Sequence, residues 1–178
     1  MEDIVLYGSQ YGHARQYAQA LAHQTGIPAL PYQSAPDLSG RGTIVYLGGL
    51  YAGGVLGLAK TLRGLSLREG QRLFVVTVGV ADPEIPKNRE HLRTSLRRQL
   101  SPALFDRAEI FSLRGGIDYR VLSLRHRLMM AALCRSLRNK PAEQRSAEDQ
   151  ALLETYGGQV DFTDLRALEP LVRRIRQK

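Results

Sequence analysis

Short apolar runs alternate with amphipathic stretches along the first two thirds of the chain. Two of the runs are continuous and rich in β-branched residues, which is typical of strands buried on both faces of a sheet. Leucine and alanine recur at helical spacing between the runs. The pattern predicts strands at residues 4–6, 29–32, 43–47, 72–78 and 108–113, with the second at an edge because prolines flank it.

Helices between successive strands indicate a parallel sheet that is covered on both sides. The predicted fold class is therefore α/β, a three-layer sandwich with a five-stranded parallel sheet. In such sheets, ligands bind beyond the carboxyl ends of the strands, where the strand order reverses.

The loop after the first strand is the strongest candidate for a binding site. Glycines and small polar residues at 8–12 lead directly into a helical pattern that contains Tyr17 and Leu21. Unpaired amides at a helix N-terminus favour an anion such as phosphate. The loop lacks both the Gly-Lys-Ser/Thr of nucleoside-triphosphate sites and the three-glycine dinucleotide spacing. It is either a mononucleotide phosphate loop or an ordinary strand-to-helix turn with an incidental glycine.

Residues 9–14, Ser-Gln-Tyr-Gly-His-Ala, resemble the FMN phosphate loop of flavodoxins, usually Ser/Thr-x-Thr-Gly-x-Thr. Ser9 and Gly12 match, whereas Tyr11 replaces a threonine and Ala14 has no hydroxyl. The resemblance implies FMN as the cofactor. Right-handed crossovers between the five predicted strands point to the flavodoxin-like sheet order 2-1-3-4-5. The implied phosphate ligands are Ser9, Gln10, Tyr11, Gly12, His13 and Ala14.

Two further glycine-bearing loops should lie at the same edge of the sheet, at 48–54 and 79–82. If FMN binds, its ring would lie between them, with Tyr51 as the best stacking partner and Tyr11 as a rival. The candidate residues are Gly49, Leu50, Tyr51, Ala52, Gly53, Val78, Gly79, Val80 and Asp82. We predict no catalytic side chain and no metal site, since a flavin carries its own redox chemistry.

Length and composition fit a single domain over residues 1–178. No apolar run reaches the roughly 18 residues that span a bilayer. The acidic start leads straight into a strand, which predicts no secretory leader. The single cysteine, Cys134, suits a reducing cytoplasm and is expected to be a small buried hydrophobe.

The net charge of +8 separates the chain from flavodoxin electron carriers, which are acidic as a family. Much of the charge falls in a basic extension at 114–145, where residues 121–138 read as a helix that is apolar around most of its circumference. Such a helix is buried in the protein or lies against a membrane surface or a partner. The arginines that could contact anionic lipid are Arg120, Arg125, Arg127, Arg135 and Arg138.

Residues 113–120 and 159–164, with an Asp-led final helix after Asp164, resemble the menaquinone-dependent protoporphyrinogen dehydrogenases. The resemblance implies electron transfer from a reduced substrate through FMN to a quinone, at the inner face of the membrane. The alternatives are a soluble FMN carrier that docks on redox proteins and a flavin-free interaction domain. A homodimer is left open, and nucleic-acid binding is not expected, because no exposed aromatics accompany the arginines.

Overall fold

A central parallel sheet organises the chain, as described by a computed structural model over residues 2–51, 53–120 and 122–177. The strands in these ranges are β1 (Ile4–Gly8), β2 (Ala29–Pro31), β3 (Thr43–Tyr51), β4 (Gly54–Val55), β5 (Arg72–Gly79), β6 (Ala108–Arg114), β7 (Gly116–Asp118) and β8 (Gln159–Asp161). The helices are α1 (His13–Thr25), α2 (Leu58–Thr61), α3 (Pro86–Gln99), α4 (Pro102–Arg107), α5 (Leu124–Asn139), α6 (Ala147–Thr155) and α7 (Glu169–Arg176).

The sheet order is β2-β1-β3-β5-β6, and all of these strands are parallel. Counted among the five parallel strands, this is the predicted order 2-1-3-4-5, so the flavodoxin-like α/β fold is confirmed. Strands β1 and β3 are neighbours, with Gly8 opposite Gly48 at their carboxyl ends. The order reverses between them, and this places the ligand-binding edge of the fold at the two glycine loops.

Each face of the sheet carries its own apolar core. On one face, Val45 and Phe74 pack against Tyr17 and Leu21 of α1, together with α7. On the other face, Ile44, Tyr46 and Val75 pack with residues of α2, α3 and α4. Burial on both sides explains why the central strands read as continuous apolar runs rather than alternating ones.

The basic extension, together with α6 and β8, forms a separate layer over the carboxyl edge of the sheet, which we call the C-terminal layer. Strands β7 and β8 pair antiparallel, and Ile117 and Tyr119 form a third core with Met130 of α5. Tyr11, in the loop after β1, and Leu152 of α6 pack against this core. The C-terminal layer therefore rests directly on the predicted site.

Helix α5 begins at Leu124, three residues later than predicted, because the side chain of Ser123 accepts a hydrogen bond from the His126 amide and caps the helix. Val121 lies outside the described residues. Cys134 lies on the inner side of this helix and is buried. Burial also raises the pKa of the Cys134 thiol, as expected for a small buried hydrophobe.

Polar contacts hold helices α5 and α6 together as a helical hairpin. The guanidinium group of Arg145 donates to the carbonyls of Leu137, Arg138 and Lys140 at the end of α5. Asp149 pairs with Lys140 at 2.9 Å and forms a capping box with Ser146 at the start of α6. These contacts fix where the first turn of α6 meets the sheet.

Candidate functional site

Three predicted loops converge at the carboxyl edge of the sheet. They surround one small cleft, whose wall includes most of the residues predicted for FMN. The predicted residues that line the cleft are Ser9, Gln10, Tyr11, His13, Ala14, Gly49, Leu50, Tyr51, Val78, Gly79 and Val80. Their roles toward FMN stay predictions.

The other predicted residues lie elsewhere. Gly12 is exposed at the start of α1, and Gly53 lines a neighbouring cavity. The carboxylate of Asp82 accepts from the Glu84 amide at 2.9 Å, so Asp82 caps its own turn rather than facing the cleft. Ala52 lies outside the described residues.

The backbone of the first loop is shaped for an anion. Gly12 has φ 95°, and its amide donates to the Ser9 hydroxyl at 3.1 Å, which leaves the Ser9 hydroxyl proton able to donate to a ligand. Helix α1 begins at the next residue and has no acidic side chain in its first turn. A Cβ added at Gly12 would meet nothing within 4 Å, so open space lies above the loop. These features fit a phosphate group.

Three side chains at the first loop form hydrogen bonds with residues of the C-terminal part of the chain. Gln10 bonds the ring of His126 at 2.8 Å, and the Tyr11 hydroxyl donates to Met130 Sδ at 3.5 Å. The His13 ring bonds Thr163 Oγ1 at 2.9 Å. Burial raises the pKa of Tyr11, which agrees with a ring that is packed under α5.

The second loop is shorter than predicted. Strand β3 continues through Gly48 and Gly49 to Tyr51 and turns back into β4, where Leu50 pairs with Val55. A Cβ on Gly48 would meet Val55 Cγ1 at 2.1 Å, so this glycine serves the packing of the hairpin. Tyr51 is at the cleft, but its hydroxyl donates to Met129 Sδ at 3.0 Å.

The third loop is held by a residue that sequence reasoning missed. Glu148, in the first turn of α6, accepts hydrogen bonds from the Val80 and Ala81 amides, each at 3.0 Å. Burial raises the pKa of the Glu148 carboxyl; the two amides and Arg114 oppose this, whereas Asp149 adds to it. Nothing local in the sequence marks this contact, because the partners are 67 and 68 residues apart.

FMN fits this site at one end only. The loop at 9–14 suits the phosphate, but the cleft between the loops has a volume of about 40 Å³. Pockets for ligands of this size are usually roughly 300 Å³ or larger. Tyr11, Glu148 and Leu152 line the cleft where the ring was predicted, so the ring does not fit in this conformation.

Next to the cleft lies a cavity of about 680 Å³ between α3, α6 and the β3–β4 hairpin. The cavity and the cleft share five wall residues: Leu50, Tyr51, Gly79, Glu148 and Leu152. Glu148 and Leu152 both come from α6, four residues apart, and therefore lie on one face of that helix. The side chains of Glu148 and Leu152 therefore lie between the cleft and the larger cavity.

Helix α5 presents an amphipathic outer face. Leu124 and Leu128 are 72% and 64% exposed, and Arg125, Arg127 and Arg135 are exposed beside them. The sequence predicted a helix that is buried or docked as a whole. In the structure only its inner side is buried, at Met130, Cys134 and Leu137. We call Leu124, Leu128 and these three arginines the α5 outer face.

The other two arginines predicted to meet lipid are already engaged. Arg120 pairs with Asp118 at 3.0 Å, and the guanidinium of Arg138 lies 5.5 Å from the ring centre of Tyr156. Across the described ranges, no helix is long and apolar enough to cross a membrane. Over the same ranges, no group of three His, Cys, Asp or Glu residues could hold a metal ion.

Comparison with known proteins gives a family for the chain. The model of the flavodoxin domain matches residues 4–144. Among solved structures, rubredoxin oxygen:oxidoreductase from Desulfovibrio gigas is 12% identical with a TM-score of 0.45, and the match covers 64% of this chain but only 30% of that one. A flavodoxin from the domain Archaea is 12% identical with a TM-score of 0.41, and the match covers 65% of this chain and 85% of that one.

A search of curated proteins found no match. The family model, however, covers well over half of the chain and includes the loop at 9–14, the parallel sheet and α5. The chain belongs to the flavodoxin domain family.

Proposed function

We propose that this chain binds FMN and transfers electrons, with the loop at 9–14 holding the phosphate. The observation that carries the proposal is the open backbone at the start of α1, where Gly12 has φ 95° and the first turn of the helix contains no acidic residue. Flavodoxin domains generally bind FMN, and a bound flavin supplies the redox chemistry.

The test is to reconstitute the purified chain with FMN, remove free flavin and record the absorbance spectrum. A retained flavin spectrum that is lost in Gly12→Val supports the proposal. Gly40→Val is the matched control, because Gly40 also has open space around it but lies in a loop away from the cleft. A chain that holds no flavin after incubation with excess FMN would refute the proposal.

A finer assignment, oxidation of a protoporphyrinogen-like substrate with a quinone as acceptor, rests on the two stretches that resemble those dehydrogenases. These stretches pair with each other, Gly116 opposite Asp161 and Asp118 opposite Gln159, so they form one structural unit. The pairing is consistent with a shared layout and does not identify a substrate. Quinone-linked oxidation of protoporphyrinogen by the FMN-loaded chain tests this assignment, and the unloaded chain is the control.

We further propose that the α5 outer face docks on an anionic membrane surface at the cytoplasmic side. Its two leucines are exposed on a helix that is anchored by buried residues on its inner side, and three exposed arginines flank them. Apolar side chains entering the headgroup region, flanked by cations that contact anionic lipid, are typical of peripheral helices. A soluble carrier that docks on acidic redox proteins is distinguished by its indifference to vesicles, and a homodimer would be revealed by its mass in solution.

A flavin-free interaction domain is a second candidate, and one observation favours it. The predicted ring site has a volume of only about 40 Å³, with Tyr11 and Glu148 in its wall. Under this alternative the cleft stays closed at any FMN concentration. The reconstitution experiment above therefore separates the two candidates.

A further inference from the structure

The mismatch between the two ends of the FMN site has a specific cause in the chain. The phosphate end is open above Gly12, whereas the ring end is closed by residues of α6. Glu148 contributes the polar part of this closure through its bonds to the Val80 and Ala81 amides. Leu152, one turn later on the same helix, contributes the apolar part.

The contacts of Glu148 resemble those expected for a ligand. Two successive backbone amides at the end of a central strand converge on a single carboxylate, each at 3.0 Å. Such an amide pair is free to bind the carbonyl oxygens of a planar heterocycle if no side chain occupies it. Gly79, just before the pair, is tightly enclosed, since a Cβ there would meet Glu148 Oε2 at 2.9 Å. The carboxylate therefore occupies the polar edge of the cleft.

Displacement of helix α6 would break the contact of Asp149 with Lys140 at the end of α5 but would leave both cores of the sheet intact. Helix α6 has no fully buried residue, and it packs through the partly buried Ala151 and Leu152. Withdrawal of Glu148 and Leu152 would join the cleft of about 40 Å³ to the adjoining cavity of about 680 Å³. The combined space falls within the range of pockets that hold drug-sized ligands, roughly 300–1,000 Å³.

We propose that Glu148 and Leu152 form a built-in plug that competes with the flavin ring, so that FMN binds only when α6 moves out of the cleft. The proposal rests on the proposed function, because it concerns the ring of the same cofactor. It makes the affinity for FMN depend on a helix that supplies none of the phosphate contacts. The closed chain binds through the small fraction of molecules in which α6 is displaced, and its apparent affinity is lowered by that fraction.

The test compares FMN and riboflavin binding to the wild-type full chain and to Glu148→Ala, Glu148→Gln and Leu152→Ala, followed by quenching of flavin fluorescence. If the open form is a minor state of about 10% or less, Glu148→Ala should tighten binding of both flavins about tenfold or more. Glu148→Gln keeps the size of the side chain but offers one acceptor for two amides, so it should act in the same direction. Glu154→Ala, an exposed carboxylate on the same helix, is the matched control and should change nothing.

A second measurement follows the helix itself. Amide hydrogen exchange across residues 147–155 should become faster when the wild-type chain is saturated with FMN, whereas exchange in the central strands should not. Equal flavin affinities in the wild type and all three variants would overturn the plug while leaving FMN binding intact. Unchanged exchange in α6 on FMN binding would also overturn it. If neither the wild type nor any variant binds flavin, the proposed function fails and the plug fails with it.

Discussion

Replacing Leu124 and Leu128 by serine should greatly weaken binding to anionic vesicles. Together, their exposed fractions of 72% and 64% amount to somewhat more than one fully exposed leucine. Burying one leucine side chain contributes about 1.5–3 kcal/mol, so their insertion into the headgroup region contributes about 2–4 kcal/mol. The double variant should therefore bind between about thirtyfold and several hundredfold more weakly.

The arginines provide an independent second contribution. Each arginine near an anionic surface contributes about 1 kcal/mol, so replacing Arg125, Arg127 and Arg135 by glutamine should remove about 3 kcal/mol. This part should decrease as salt is added, whereas the leucine part should not. The two variants thus separate the apolar and the electrostatic contributions to docking.

Co-sedimentation with phosphatidylserine-containing vesicles measures both contributions, and pure phosphatidylcholine vesicles give the uncharged baseline. Ile85→Ser is the matched control, because Ile85 is 50% exposed but precedes α3 rather than lying on α5. If the leucine variant binds as tightly as the wild type, or if the wild type does not bind anionic vesicles, the reasoning about the α5 outer face is refuted.

Three further predictions concern the cleft. Gly12→Val should abolish FMN retention and cost about 1–2 kcal/mol of stability through its left-handed backbone, measured by absorbance and urea unfolding; full retention would contradict the loop assignment. Tyr51→Ala should shift the absorbance of bound FMN, whereas Tyr51→Phe, which keeps the ring, should not; identical spectra would remove Tyr51 from the ring site. Because burial raises the pKa of Glu148, its stabilising contribution is complete below about pH 4.5 and is lost as pH rises through the raised pKa. The wild type should therefore lose stability relative to Glu148→Gln as pH rises above about 4.5, by about 1.4 kcal/mol for each pH unit over which only the folded chain keeps Glu148 protonated; urea unfolding curves that keep a constant separation would contradict this.

The sheet could be predicted from sequence because its signals are local. Strands that are buried on both faces read as apolar runs, and each loop follows its strand directly, so the order and the converging edge were accessible. The predicted ends of some strands were wrong by a few residues, because a strand can be extended by pairing with another strand that no local sequence pattern shows. Strand β3, for example, continues through two glycines because it pairs with β4.

The closure of the cleft could not be predicted in the same way. Glu148 lies in a weakly patterned helix, and its partners are backbone amides that have no side-chain identity to recognise. Tyr11 and Tyr51 were predicted to contact a ligand because of their position in the loops. In the structure their hydroxyls donate hydrogen bonds to the sulfur atoms of Met130 and Met129, respectively. These contacts depend on how α5 and α6 pack against loops that are distant in sequence. No local periodicity in a single sequence shows that packing.

The most direct test of the account is phosphorus NMR of FMN mixed with the full chain. If the phosphate lies against the amides at the start of α1, its resonance should shift and broaden on binding, and the change should vanish in Gly12→Val but persist in Gly40→Val. A phosphorus resonance that stays that of free FMN at concentrations where the flavin is otherwise bound would contradict a phosphate site at this loop.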